Sequence, residues 1–261
     1  MLRFCRLVKQ RHAPLFWFGG LCFVAMLGCG VLTRTTEVTV LGINAWIKPM
    51  KFFASTGVFS WTMGWLLTYL DYPAQVRRYT VMAIVVMVFE LGVITWQAAN
   101  GRLSHFNVTT PLYGALFALM GVGITTFTLW TAYIGYLFVK QPAFSIPMPF
   151  VWSIRLGIFL FVLFSFEGGV MASKLSHTVG ASDGGSGLAF VNWNKQYGDL
   201  RIAHFVGIHA LQALPLFGYA FAKTNRGAVL FAMLYFLVAS LLFVQAMMGL
   251  PLLSLFGRAN G

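Results

Sequence analysis

Acidic residues are nearly missing from this sequence: six Asp and Glu stand against 18 Lys and Arg in 261 residues. Charge of either sign is scarce, at 9%, where a soluble domain carries about 25%. A chain with so little polar surface cannot cover a water-facing globule, and a disordered chain needs more charge and fewer apolar residues. Cysteine is scarce as well. Cys5, Cys22 and Cys29 all lie near the start and form no CxxC pair, so neither a disulfide framework nor a thiolate metal motif is implied. There is no convincing internal repeat, no long polar linker and no basic stripe of the kind that tracks nucleic acid. The net charge of +12 is read instead as a marker of membrane orientation and of contact with anionic lipid head groups. No nucleic-acid partner is expected.

What is present is apolar: 59% hydrophobic residues and a mean hydropathy of +0.78. Runs of spanning length recur at 14–33, 50–70, 79–98, 111–138, 149–172, 202–222 and 226–249, each near the roughly 20 residues that cross a bilayer as a helix. The strand alternation of a membrane barrel is absent. The expected fold is all-α: one domain over 1–261, a bundle of seven transmembrane helices. Arg3, Arg6, Lys9 and Arg11 followed by an apolar run resemble a signal peptide, but the run is long enough to span and no A-x-A site follows it. An uncleaved first helix is predicted, with His12 solvated in a basic tail.

With seven alternating helices, the N-terminal cluster, Arg77, Arg78, Lys140, Lys223 and Arg226 share one side. The positive-inside rule makes that side cytoplasmic, the N-terminus inside and the C-terminus outside, in a bacterial inner membrane. Arg34, Lys48, Lys51, Arg102, Lys174, Lys195, Arg201 and Arg258 fall on the other side. The outer segment Gly180-Ala-Ser-Asp183-Gly-Gly-Ser-Gly187 lacks the Lys and the helix start of a phosphate loop and reads as a turn.

Ionisable groups inside the hydrocarbon cost several kcal/mol, about 2.5–3.5 on insertion scales, and persist where they face a partner, a cavity or a ligand. Glu90 lies near the middle of the third run, and Gln97, seven residues on, shares nearly its face. Glu90 and Gln97 are the candidates for proton handling. Glu167 lies in the fifth run with Lys174 seven residues further, so an ion pair between them competes with a functional role. Four histidines gather on the outer side: His105 in Arg102-Leu-Ser-His105-Phe-Asn107, His177 in Lys174-Leu-Ser-His177, and His204 and His209 in the sixth run.

Histidines beside buried carboxylates suit a transition metal, a haem, a quinone or a proton relay. The candidate metal ligands are His105, His177, His204, His209 and Glu167. His204 and His209 are five apart, about 140° around a regular helix, and do not chelate one ion together. His209 and Gln212 do share a face, and Pro215 withdraws the N–H that Leu211 would use, which favours a kink. A haem of the b type would take axial histidines from different helices, His209 among them, without covalent attachment. A copper or iron ion is the alternative cofactor. Asn44, Lys48 and Lys51 are spaced i, i+4, i+7 around Pro49 and, with Arg102, are candidates to hold lipid phosphate or an anionic ligand. Asp199 reads as the N-cap of the sixth helix and Arg201 as a loop tie.

The strings QAANGRLSHFN, SHTVGASDGG and GDLRIAHFVGIHALQ resemble those of a group of bacterial polytopic membrane proteins. That resemblance implies a membrane bundle and supplies no activity and no site residues. The seventh run has no lysine for a retinal Schiff base. Three functions remain open. The first is a redox-linked membrane protein, an oxidoreductase or electron carrier with a His/Glu-rich metal, haem or quinone site near the outer face. The second is a proton-coupled transporter or channel for a small solute, with Glu90 as coupling carboxylate. The third is an accessory subunit partnered by other subunits of a respiratory or photosynthetic complex.

Overall fold

The computed structural model describes residues 2–185, 187–188 and 191–252. Ser186 of the glycine-rich turn and Arg258 lie outside the described residues. Among those described the chain is helical apart from connecting loops and two short strand pairs: α1 (Leu2–Arg11), α2 (Ala13–Thr35), β1 (Thr39–Val40), β2 (Ile43–Asn44), α3 (Ile47–Leu66), α4 (Pro73–Ala99), α5 (Pro111–Lys140), α6 (Met148–Lys174), β3 (Thr178–Val179), β4 (Gly198–Asp199), α7 (Leu200–Ile208), α8 (Ala210–Ala220) and α9 (Asn225–Met247). A 3-10 turn, Leu67–Tyr69, follows α3. Six segments are long and apolar enough to cross a membrane: α2, α4, α5, α6, α7 with α8 taken together, and α9. This is an all-helical chain whose apolar helices contact a lipid bilayer.

Several boundaries differ from the sequence expectation. The third apolar run begins as α4 at Pro73, not near 79, because proline suits the first turn and Arg77 and Arg78 extend outward from its second turn. The second run begins as α3 at Ile47, not near 50, and carries Thr56, Gly57, Ser60, Thr62 and Gly64 buried along it. Those small residues lower its hydropathy but let neighbouring backbone come close. A Cβ at Gly19 on α2 would stand 2.5 Å from the Trp61 ring on α3, and that indole donates to the Phe16 carbonyl at 3.0 Å. The hydroxyls of Ser60 and Thr62 bond carbonyls four residues back, which satisfies them inside their own helix.

The basic N-terminal segment is a helix, not a tail. Val8 of α1 is fully buried and Phe4 meets Trp65 edge-on. His12 is correspondingly not solvated: it is 9% exposed and its Nε2 lies 3.2 Å from Thr80 Oγ1. Burial holds its imidazole below the ordinary value, against the opposing pull of a backbone hydrogen bond.

The chain divides into two compact units. Unit 1 is 1–40 with 44–151, and unit 2 is 41–43 with 152–261. In unit 1, Val93, Ile94 and Met120 join α4 to α5 with Phe89 and Leu116 around them. Tyr79 and Thr131 share a buried hydrogen bond across the same pair of helices. In unit 2, Leu160, Phe164, Ala210, Leu214, Ala232 and Ala239 form the core of α6, α8 and α9.

Candidate functional site

Unit 1 carries the polar groups of α4 and the segments at its end. Glu90 is buried, its Oε1 has no hydrogen-bond partner, and it lies 3.7 Å from where a Cβ on Gly123 of α5 would stand. Gln97 is buried with Oε1 likewise unpartnered, and its backbone carbonyl accepts from the Arg102 N–H at 2.9 Å. His105 lies half-buried among Phe52, Phe106 and Phe117, its Nδ1 3.1 Å from Ser104 Oγ. The Lys48 ammonium stands 6.0 Å from the Phe52 ring, so Lys48 and His105 flank one aromatic side chain. Arg102 stacks on Tyr113 and bonds its hydroxyl. Lys51 is half-buried in the first turns of α3.

Asn44 does not share a helical face with the two lysines as its spacing suggested. It belongs to β2, where its amide donates to the carbonyls of Thr33 and Thr36 and accepts from the Trp46 N–H. An Asn able to satisfy three backbone groups favours the turn over the helix start.

Unit 2 holds the rest, on two levels. The upper level is a fixed polar cap. β3 and β4 pair antiparallel, Thr178 opposite Asp199. Asp199 is the N-cap of α7, as expected, accepting from the Arg201 N–H at 3.1 Å. Its carboxylate also takes Arg201 Nε and Nη2 at 2.9 and 2.6 Å and the Asn194 N–H at 2.8 Å. Arg201 reaches on to the Asn192 carbonyl, which is the loop tie the sequence suggested.

Asp183 was not singled out, since its glycine surroundings read as a loose turn. It organises the loop: it accepts from Ser176 Oγ and from the N–H groups of His177 and Thr178. Burial alone would raise its carboxyl. The His177 charge and these hydrogen bonds together outweigh that and hold it below the ordinary value. His177 Nδ1 lies 3.2 Å from Asp183 and 3.9 Å from Asp199. His177 therefore belongs to this cap. An open hollow of about 450 Å³ is lined by Lys174 to Ser176 and Thr178 to Asp183.

The lower level lies between α6 and α7–α8. Phe164, Glu167, Gly168 and Met171 share one face of α6 by their i, i+3, i+4, i+7 spacing. His204 of α7 sits on that face, its Nδ1 2.8 Å from the Phe164 carbonyl and its Cε1 3.5 Å from where a Cβ on Gly168 would stand. A carbonyl only accepts, so Nδ1 carries the proton and Nε2 keeps its lone pair for a second partner. Gly207 permits this approach, because a Cβ there would fall on the Phe164 ring. Glu167 is 7% exposed and neither of its oxygens has a hydrogen-bond partner. The ion pair with Lys174 is therefore not formed; Lys174 is exposed at the end of α6.

The α7–α8 span is interrupted at His209. His209 Nδ1 lies 3.1 Å from Gln212 Oε1, as their shared face suggested, and its ring packs edge-on against Phe205. Pro215 lies six residues past the break. Among the described residues no group of three or more His, Cys, Asp and Glu side chains stands close enough to hold a metal ion.

No protein-family model, no curated protein and no solved structure matches the chain.

Proposed function

We propose that this chain is a redox-linked integral membrane protein that binds a quinone-type head group in unit 2, between α6 and the interrupted α7–α8 span. The observation that carries this is the unpartnered carboxyl of Glu167 on the α6 face that receives His204. A buried polar group left without a partner costs about 1–3 kcal/mol, and a ligand that supplies the partner recovers it. A quinone needs only two hydrogen-bonding groups on an apolar wall. Glu167 and the free Nε2 of His204 are such a pair, and Phe164 and Met171 supply apolar surface on the same face. A metal ion needs more donors than the described residues bring together, so the organic ligand is the better fit. His209, oriented by Gln212 at the helix break, is the candidate haem ligand in the alternative form of this reading.

In this reading the carboxyl and the imidazole hydrogen-bond the head-group oxygens. α3, at 20 residues about 30 Å long, is a seventh span. The N-terminus then lies in the cytoplasm and the polar cap outside, in a bacterial inner membrane. Purified protein is to be extracted for bound quinone and its absorption recorded before and after dithionite. Quinone that is retained by the wild type and lost in Glu167→Gln and His204→Ala supports the reading. Protein that takes up no added quinone refutes it, and a reducible haem band transfers the site to the haem form.

Glu90 favours a second reading. Its Oε1 is buried without a partner in unit 1, which suits the coupling carboxylate of a proton-driven transporter. Solute flux in liposomes that Glu90→Gln abolishes would support it; flux unchanged by that substitution would remove Glu90 from the role.

A further inference from the structure

The two polar sites above leave one part of unit 1 unused: α1 and the helix ends around it. Residues 1–36 contain Arg3, Arg6, Lys9, Arg11 and Arg34 and not one acidic residue; the first is Glu37. α1 separates its two kinds of side chain by face. Phe4 and Val8, four apart, turn inward, Val8 fully buried and Phe4 against Trp65. Arg6, Lys9 and Gln10 project on the opposite side and are exposed, as is Arg11 at the end.

Two contacts place further cations at the same end of unit 1. The His12–Thr80 hydrogen bond brings the start of α4, with exposed Arg77 and Arg78, beside the α1–α2 junction. The Gln141 side chain accepts from the Asp71 N–H and donates to the Tyr69 carbonyl, which brings the end of α5 with exposed Lys140 to the segment that leads into α4. Six exposed cations thus gather at this end, with Asp71 as the one acidic residue in those segments.

We propose that this end of unit 1 is a docking surface for anionic phospholipid head groups, with α1 lying in the membrane interface as the part that grips them. α1 buries its apolar side against α3, through Phe4 on Trp65 and the fully buried Val8, and so presents its cations outward to lipid phosphates. Lys9 does this beside an aromatic anchor: its ammonium lies 5.1 Å from the ring centre of Trp17, and Trp17 is 61% exposed. A phosphate held by Lys9 therefore places its acyl chains next to that indole. Lipid is the fitting source of phosphate because the cations sit around the entry points of α2 and α4 rather than in an enclosed pocket.

The test uses the full chain in phosphatidylcholine vesicles and reads the fluorescence of Trp17 as the difference between the wild type and Trp17→Phe. Brominated phosphatidylglycerol and brominated phosphatidylcholine are compared as quenchers at equal mole fraction. The anionic lipid is expected to quench at a several-fold lower mole fraction, and the preference to shrink as salt rises. The triple variant Arg6→Gln, Lys9→Gln, Arg11→Gln should abolish that several-fold preference, each cation being worth roughly fivefold. If that variant does not fold, Lys9→Gln alone should lose the fivefold. Equal quenching by both lipids, or a preference that survives the substitutions, overturns the proposal. A preference abolished by millimolar inorganic phosphate also overturns it, because the surface would then be a small-anion site.

Discussion

Replacing Glu167 with leucine should stabilise the protein while removing its ligand. The carboxyl is 7% exposed and both of its oxygens lack partners. One unsatisfied buried group costs about 1–3 kcal/mol, whereas an apolar side chain of similar reach carries no such cost. Leucine does not fill the same volume, and an imperfect fit in a packed helix pair costs up to about 1 kcal/mol. The net expectation for Glu167→Leu is a gain of about 1–2 kcal/mol in ligand-free protein, or roughly five- to thirtyfold in the folded-to-unfolded ratio. Glu167→Gln keeps two polar atoms in the same place and should gain nothing. Unfolding followed by tryptophan fluorescence in mixed micelles of increasing SDS fraction measures both, with quinone retention recorded on the same samples. A loss of 1 kcal/mol or more in the leucine variant would show that the carboxyl has a structural partner. A gain in stability with quinone retention intact would show that the carboxyl is not what the ligand binds.

The cap and the helix contact behind the site make their own predictions. Asp199→Ala removes the acceptor of the Asn194 N–H and leaves the Arg201 guanidinium only the Asn192 carbonyl. With Arg201 27% exposed, the cost should be about 2–3 kcal/mol, read as roughly 30- to 150-fold faster amide exchange at Asn194 and Arg201; a change under threefold would mean that water replaces the carboxylate freely. Gly207→Ala drives a methyl onto the Phe164 ring and should cost about 1–3 kcal/mol. Because Phe164 also holds His204, this variant should weaken ligand retention, unlike an alanine placed at exposed Gly169. His12 is held below its ordinary value of 6.5 by burial, so on acidification the unfolded chain takes up the proton first. Its contribution to stability is complete above pH 6.5 and declines as pH falls through that value toward the lowered one. Unfolding measured between about pH 7.5 and 5.5 should show this slope, and His12→Gln should flatten it.

The membrane character of this chain and the position of most of its helices were legible from residues alone. Both depend on local quantities: the length of an apolar run, the proline that opens α4 or α5, the glutamine one turn from His209. The N-cap role of Asp199 was legible for the same reason, since the acceptor and its donor are two residues apart. α1 was missed because its apolar residues, Phe4, Cys5, Leu7 and Val8, are few and broken by charge; only the surface of α3 beneath them makes the helix worth forming. His12 was misread for that reason as well, its partner Thr80 being 68 residues away. Glu167 depended on the tertiary structure most of all. Sequence spacing offered Lys174 on the same face, and a charge in hydrocarbon invites a pair. The folded chain instead sets Lys174 in the open at the end of α6, two turns and about 10 Å along the helix from Glu167, and brings His204 from another helix to Glu167's face.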